Sequence, residues 1–92
     1  MAPPKPPEPF SIGDVDGKNG VTMTDALEIL KYLAKMHSAL DDGIGSSAWN
    51  AALITVKSRN DNKPAIADAL EILKKLAKMD NEIDRYNNSF VD

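Results

Sequence analysis

The chain has 92 residues, no cysteine and a net charge of −3. A chain this short forms one small domain that buries a modest share of its surface, so it leans on a metal, disulfides or a partner, and the lack of cysteine removes the disulfides. The acidic balance and the absence of any basic run longer than two residues weigh against nucleic acid or an anionic membrane as the main ligand. No apolar run approaches the roughly 20 residues of a membrane span.

In chain order, residues 1–9 read as a proline-rich spacer. Extended polyproline geometry makes such a segment semi-rigid, and it lacks the apolar stretch of a signal peptide. The chain is therefore expected to be a module of a longer protein, with Met1 and Ala2 as additions for expression. Pro9 leaves no room for a helix before Asp14.

Residues 14–25 form a twelve-residue acidic loop. Calcium takes six to eight hard oxygen ligands, and a loop of this length supplies them from its first, third, fifth, seventh, ninth and twelfth positions. Asp14 and Asp16 fit the first and third, the Gly20 carbonyl the seventh, Thr22 the ninth through its hydroxyl or a water, and Asp25 closes the loop. The fifth position is Lys18, which cannot coordinate, so Asn19 is expected to supply its amide oxygen instead, with Gly20 making the sharp turn. Val21 is expected to point into the core. The competing reading of Asp14 to Gly17 alone is a simple turn with an Asx cap.

A helix over 25–36 follows, capped by Thr22 or Thr24, with Asp25 and Glu28 early and Lys31 and Lys35 late, as the helix dipole favours. His37 and Ser38 break the pattern, and 41–47 are turn formers. Ser46 or Ser47 caps a short linking helix over 47–56. Residues 68–79 then repeat 25–36 at eleven of twelve positions, with Tyr32 against Lys75 as the single difference. The reading is all-α, with three helices, two loops, and a tail over 80–92 that is polar apart from Ile83, Tyr86, Phe90 and Val91.

Carrying the register of the helices back through the second loop, 57–68, places Lys57 and Arg59 opposite Asp14 and Asp16. Asp61 and Asp68 remain. No calcium is expected there, and an ion pair in which Lys57 or Arg59 replaces the metal is expected instead. A shifted site built from Asn60, Asp61, Asn62 and Asp68 is the alternative.

Each long helix carries more apolar surface than one core needs. Ala26, Ile29, Leu33 and Met36 form one ridge, and Leu27, Leu30 and Ala34 a second. The copies are Ala69, Ile72, Leu76 and Met79, then Leu70, Leu73 and Ala77. The first ridge is expected to pack on the other repeat and on Trp49 and Leu53. The second, flanked by Lys31, Lys35, Lys74 and Lys78, is expected to stay exposed as a protein contact, unless a three-helix domain buries both.

Residues 13–17 (Gly-Asp-Val-Asp-Gly), the closing Asp25, the duplicated loop-helix segments, the linking helix and the missing helix before loop one resemble a dockerin, the calcium-dependent module that plugs cellulosomal enzymes and scaffoldins into cohesin domains. The resemblance spans 13–79, with repeat one at 13–36 and repeat two at 57–79. It departs from the family pattern at Lys18 and throughout loop two, since dockerins usually hold one calcium in each repeat and here one ion, in loop one, is expected. It implies cohesin contacts at the tenth and eleventh loop positions and on the helix face that follows. These are Met23, Thr24, Leu27, Leu30, Lys31 and Lys35 in repeat one, and Ile66, Ala67, Leu70, Leu73, Lys74 and Lys78 in repeat two. It also implies an extracellular setting, a role in polysaccharide degradation, a monomer when free, and a clasp of the termini through Phe10 on Tyr86 or Phe90. The near-identical helices would let a cohesin dock on either after a half-turn, but the loops break that symmetry, so one preferred orientation is expected.

The expected function is thus a non-catalytic assembly module that binds a cohesin, and neither nucleic acid nor membrane. The alternative is a calcium sensor or buffer of the EF-hand kind, which needs a helix on each side of the loop. Enzymatic activity is not expected. His37 is the only histidine, and it reads as a helix-end cap.

Overall fold

The computed structural model describes residues 10–88; the spacer over 1–9 and the residues Phe90 and Val91 lie outside them. Among the described residues there are five α-helices and no strand: α1 (Met23–Leu33), α2 (Ser47–Ala52), α3 (Val56–Asp61), α4 (Ile66–Leu76) and α5 (Glu82–Asn88). A 3-10 turn spans Ala39–Asp42. The all-α expectation holds, but three helices become five. The linking helix stops at Ala52, a further helix stands inside the second loop, and the tail is helical.

The long helices start as their sequences direct. Thr22 is the N-cap of α1, and Asp25 at the third helical position accepts the Thr22 backbone N–H at 2.6 Å. In the copy Asp68 does the same for Ala65, at 2.7 Å. Each carboxylate satisfies a backbone donor that a helix start would otherwise leave open.

The helices end earlier than expected, at Leu33 and Leu76. Lys35 and Lys78 adopt left-handed backbone, φ 62° and 61°, and the amides of Met36 and Met79 reach back to the carbonyls of Lys31 and Lys74. This is the Schellman turn that normally recruits glycine, and no glycine marks it here.

α1 packs on α4, and Leu33 at the end of α1 lines the same cleft as Ile66 and Ala67 at the start of α4. Ala26, Ile29, Ala69 and Ile72 are buried between them, together with Trp49 and Leu53 as expected. Leu33, Met36, Leu76 and Met79 are exposed instead of completing that ridge. Much of the rest of the core comes from segments beyond the two long helices: Leu40 of the 3-10 turn and Ile83 of α5 are fully buried. Tyr32 meets Trp49 edge to face at 5.4 Å, and the Trp49 indole N–H donates to the Asn62 side-chain oxygen at 3.2 Å.

The duplication extends further than the helices. Glu28 accepts the Ala39 N–H at 2.8 Å, and Glu71 accepts the Glu82 N–H at 2.8 Å. Each also pairs with the lysine three residues on, Lys31 or Lys74. Leu40 and Ile83 then occupy equivalent core positions. The repeating unit is a loop, a helix, a turn and a short return element whose first amide is pinned by a glutamate of the helix.

Candidate functional site

Loop one makes a turn through three left-handed residues, Gly17, Asn19 and Gly20, all exposed. It is anchored at one end by the Gly13 N–H, which donates to the Ala51 carbonyl at 2.8 Å, and at the other by Asp25 in α1. Val15 is buried and Val21 is half-buried against the core. Oxygens of Asp14, Asp16 and Asp25 lie within 4.8 Å of one another, the one such group of three among the described residues.

The donors around these carboxylates leave capacity unused. Asp25 Oδ1 accepts the Asp16 N–H at 2.9 Å, while Oδ2 accepts the Thr22 N–H and, at 3.3 Å, the Thr22 hydroxyl. Asp16 Oδ1 accepts the Lys18 N–H at 2.9 Å. Asp14 Oδ1 is buried with no hydrogen-bond partner. Burying an acceptor unpaired costs free energy, and a cation held by the three aspartates would satisfy it. The donor set of hard oxygens therefore fits a metal ion.

The metal-free electrostatics point the same way. Burial, with the neighbouring Asp16 next, raises the Asp14 carboxyl above the ordinary range. Burial, with the charge on Asp16 opposing its ionisation, also raises Asp25. For Asp16 burial pulls upward but is outweighed by the Lys18 N–H and by hydrogen bonds with Asp25 and Asp14, so it ionises lower. Crowded carboxylates that resist full ionisation are what a bound cation relieves.

Repeat two is built differently. The Thr55 N–H donates to Asp68 Oδ1 across thirteen residues, whereas the equivalent bond from Asp16 to Asp25 spans nine. The second loop is thus about one helical turn longer, and α3 occupies the difference. By this pairing Thr55 stands where Asp16 does. The aspartates are replaced by buried Leu53 and by Thr55, and the register that set Lys57 and Arg59 there does not hold through the loop.

The expected ion pair is corrected as well. Lys57 and Asp61 pair at 2.9 Å on the surface, and Arg59 donates to the carbonyls of Leu53 and Ile54, at 3.2 and 2.6 Å. The shifted site from Asn60, Asp61, Asn62 and Asp68 is not assembled either: Asn62 serves Trp49, Asp61 serves Lys57, and Asp68 is held by other donors. Ser58 and Thr55 were the residues to notice, since Thr55 caps α3 by accepting the Ser58 N–H at 3.1 Å, and a threonine three residues before a polar partner is a readable helix start.

The expected contact residues divide into two groups. Met23, Thr24, Leu27 and Leu30 on α1 and Ile66, Ala67, Leu70 and Leu73 on α4 are all exposed, with Leu27 at 47% and Leu70 at 50%. Lys31 and Lys74 flank them, drawn toward Glu28 and Glu71. Lys35 and Lys78 lie past the helix ends, in the left-handed turns. Exposed Leu33, Met36, Leu76 and Met79 enlarge both apolar faces beyond the residues expected.

Tyr86 lies under Arg59, whose guanidinium carbon is 5.1 Å from the ring centre. Phe10 lines a shallow hollow with Ser11, Asp14, Gly17 and Ser47. His37 is exposed, with Nδ1 3.2 Å from Asp41. No helix among the described residues is long and apolar enough to cross a membrane.

Comparison with family models, curated proteins and solved structures finds no match to this chain.

Proposed function

We propose that the chain is a non-catalytic, calcium-supported interaction module of the dockerin kind, which docks on a cohesin domain to attach an extracellular enzyme or scaffoldin to an assembly for polysaccharide degradation. The observation that carries the metal half is the buried, unpartnered Asp14 Oδ1, on a carboxylate that clusters with those of Asp16 and Asp25. Twelve-residue spacing and hard oxygen donors favour calcium over softer-ligand metals, with the Asn19 amide and Gly20 carbonyl completing the set. When bound, the ion supplies the positive charge that lets all three carboxylates ionise together.

The docking half is supported by two near-identical helices that each bury Ala-x-x-Ile and expose Leu-x-x-Leu. Apolar faces of this kind, rimmed by lysines, are characteristic of protein contacts. Residues 10–22 carry no helix, which counts against the EF-hand alternative, since that requires one before loop one.

Calorimetric titration against a panel of cohesins tests the proposal, with Leu27, Leu30, Leu70 and Leu73 exchanged in turn for glutamate. Binding that needs calcium and fails in one or both sets of variants is the expected result. No binding to any cohesin, or binding indifferent to chelator and to all four exchanges, defeats the reading.

A further inference from the structure

An ionised carboxylate has about four lone-pair sites, and in repeat two the protein fills all of them. Asp68, fully buried, accepts the N–H groups of Ile54 and Thr55 on Oδ1 at 3.0 and 2.9 Å. On Oδ2 it accepts the Ser58 hydroxyl at 2.6 Å and the Ala65 N–H at 2.7 Å. The Ser58 hydroxyl gives its one hydrogen to Asp68 while its oxygen receives the Thr55 hydroxyl at 3.0 Å. Arg59, next in sequence, places its cation on the carbonyls of Leu53 and Ile54, the segment whose amides hold Asp68. Loop one is less complete: the Thr22 hydroxyl reaches Asp25 Oδ2 only at 3.3 Å, no guanidinium among the described residues stands beside it, and the closing carboxylate faces two more carboxylates, one of whose oxygens is an orphan.

We infer that the Ser58 hydroxyl and the Arg59 guanidinium do for repeat two what a bound cation does for repeat one, so that the α4 half holds its shape without metal while the α1 half depends on it. The contrast rests on the metal reading of loop one; the closure of loop two does not. Its physical basis is that hydrogen bonds to a charged group are the strong ones, and here they replace ion coordination with groups that cannot be chelated away. The inserted turn α3 is what brings Ser58 under Asp68.

The test combines calcium calorimetry with amide hydrogen exchange followed by NMR on the whole chain, in calcium and in chelator. One calcium should bind. Chelation should speed exchange of the Asp16 and Thr22 amides by about tenfold or more and leave the Thr55 and Ala65 amides within about twofold. Ser58→Ala should speed Thr55 and Ala65 by about tenfold in both buffers, with calcium uptake still at one ion. A second calcium, or chelation that releases Thr55 and Ala65 as much as Asp16 and Thr22, overturns the inference. If Ser58→Ala does not fold, the comparison on the native chain decides the matter alone. Absence of any calcium uptake overturns the reading of loop one instead, and continued protection at Thr55 and Ala65 would then still support the closure by Ser58.

Discussion

Ile83 of α5 presses on the backbone of Gly13, the residue before the first aspartate of loop one: a Cβ at Gly13 would lie 2.9 Å from Ile83 Cδ1. Gly13 also has φ of 86°. Gly13→Ala therefore combines a left-handed backbone with a core clash and should cost about 2–4 kcal/mol in urea unfolding. Gly17, also left-handed but with open space around it, should cost only about 1 kcal/mol on the same exchange. Equal costs at the two positions would show that α5 does not bear on loop one.

Two residues of α1 only two positions apart should behave oppositely. Ile29 is fully buried and Leu27 half-exposed, so Ile29→Ala should lose about 2–5 kcal/mol. Leu27→Glu should stay within about 0.5 kcal/mol. Partner affinity should follow the reverse order, with Leu27→Glu weakening binding by more than about tenfold. Thermal unfolding and calorimetry on both variants check this.

Metal and pH act together on loop one. Asp14 and Asp25 ionise at higher pH in the folded protein than in the unfolded chain, so across mildly acidic pH the folded state binds more protons. Stability of the metal-free protein should therefore fall as pH rises through that window. Asp16, held low, acts oppositely, and its contribution is lost only as pH falls below the ordinary carboxylate range. Calcium at a hundredfold excess over Kd should add about 3 kcal/mol at neutral pH, roughly 10–20 °C in Tm. That gain should shrink as pH falls and protons compete for the ligands. A metal-free melting temperature that climbs steadily from mildly acidic to neutral pH would contradict this account.

Arg59 joins α3 to α5. Arg59→Ala loses two charge-assisted hydrogen bonds and the contact with Tyr86, and should cost about 2–4 kcal/mol. Lysine should recover only part of this, because Nη1 reaches both carbonyls while the guanidinium carbon lies over the Tyr86 ring, and a single ammonium cannot serve both places. Full recovery by lysine in denaturant titrations would reduce the role of Arg59 to charge alone.

The sequence carried the helical class, the acidic loop and the exposed leucines, because each rests on local spacing: acids at fixed intervals, and Ala-x-x-Ile beside Leu-x-x-Leu at helical period. It hid three things. The near-identity of the two long helices extends their register through the second loop, where a four-residue insertion actually shifts it, and no helical period is long enough in α3 to reveal that. Lys35 and Lys78 end the helices without the glycine that would announce a stop. Leu40 and Ile83 are equivalent, but so little of their surroundings repeats that Ile83 reads as a stray apolar residue in a polar tail. For the loop register and for Ile83 the deciding contacts join segments far apart in sequence, whereas the helix stops are closed locally, by Met36 on Lys31 and Met79 on Lys74.

The two left-handed lysines have a consequence of their own. A side chain in that conformation costs about 1 kcal/mol relative to glycine, so Lys35→Gly and Lys78→Gly should each raise the unfolding free energy by up to about that amount. For a small domain, total stability is on the order of 10 kcal/mol, and the module forgoes a noticeable part of it twice, at matching places. What the left-handed backbone sets in exchange is the direction in which each lysine leaves the chain, one residue before the exposed Met36 and Met79.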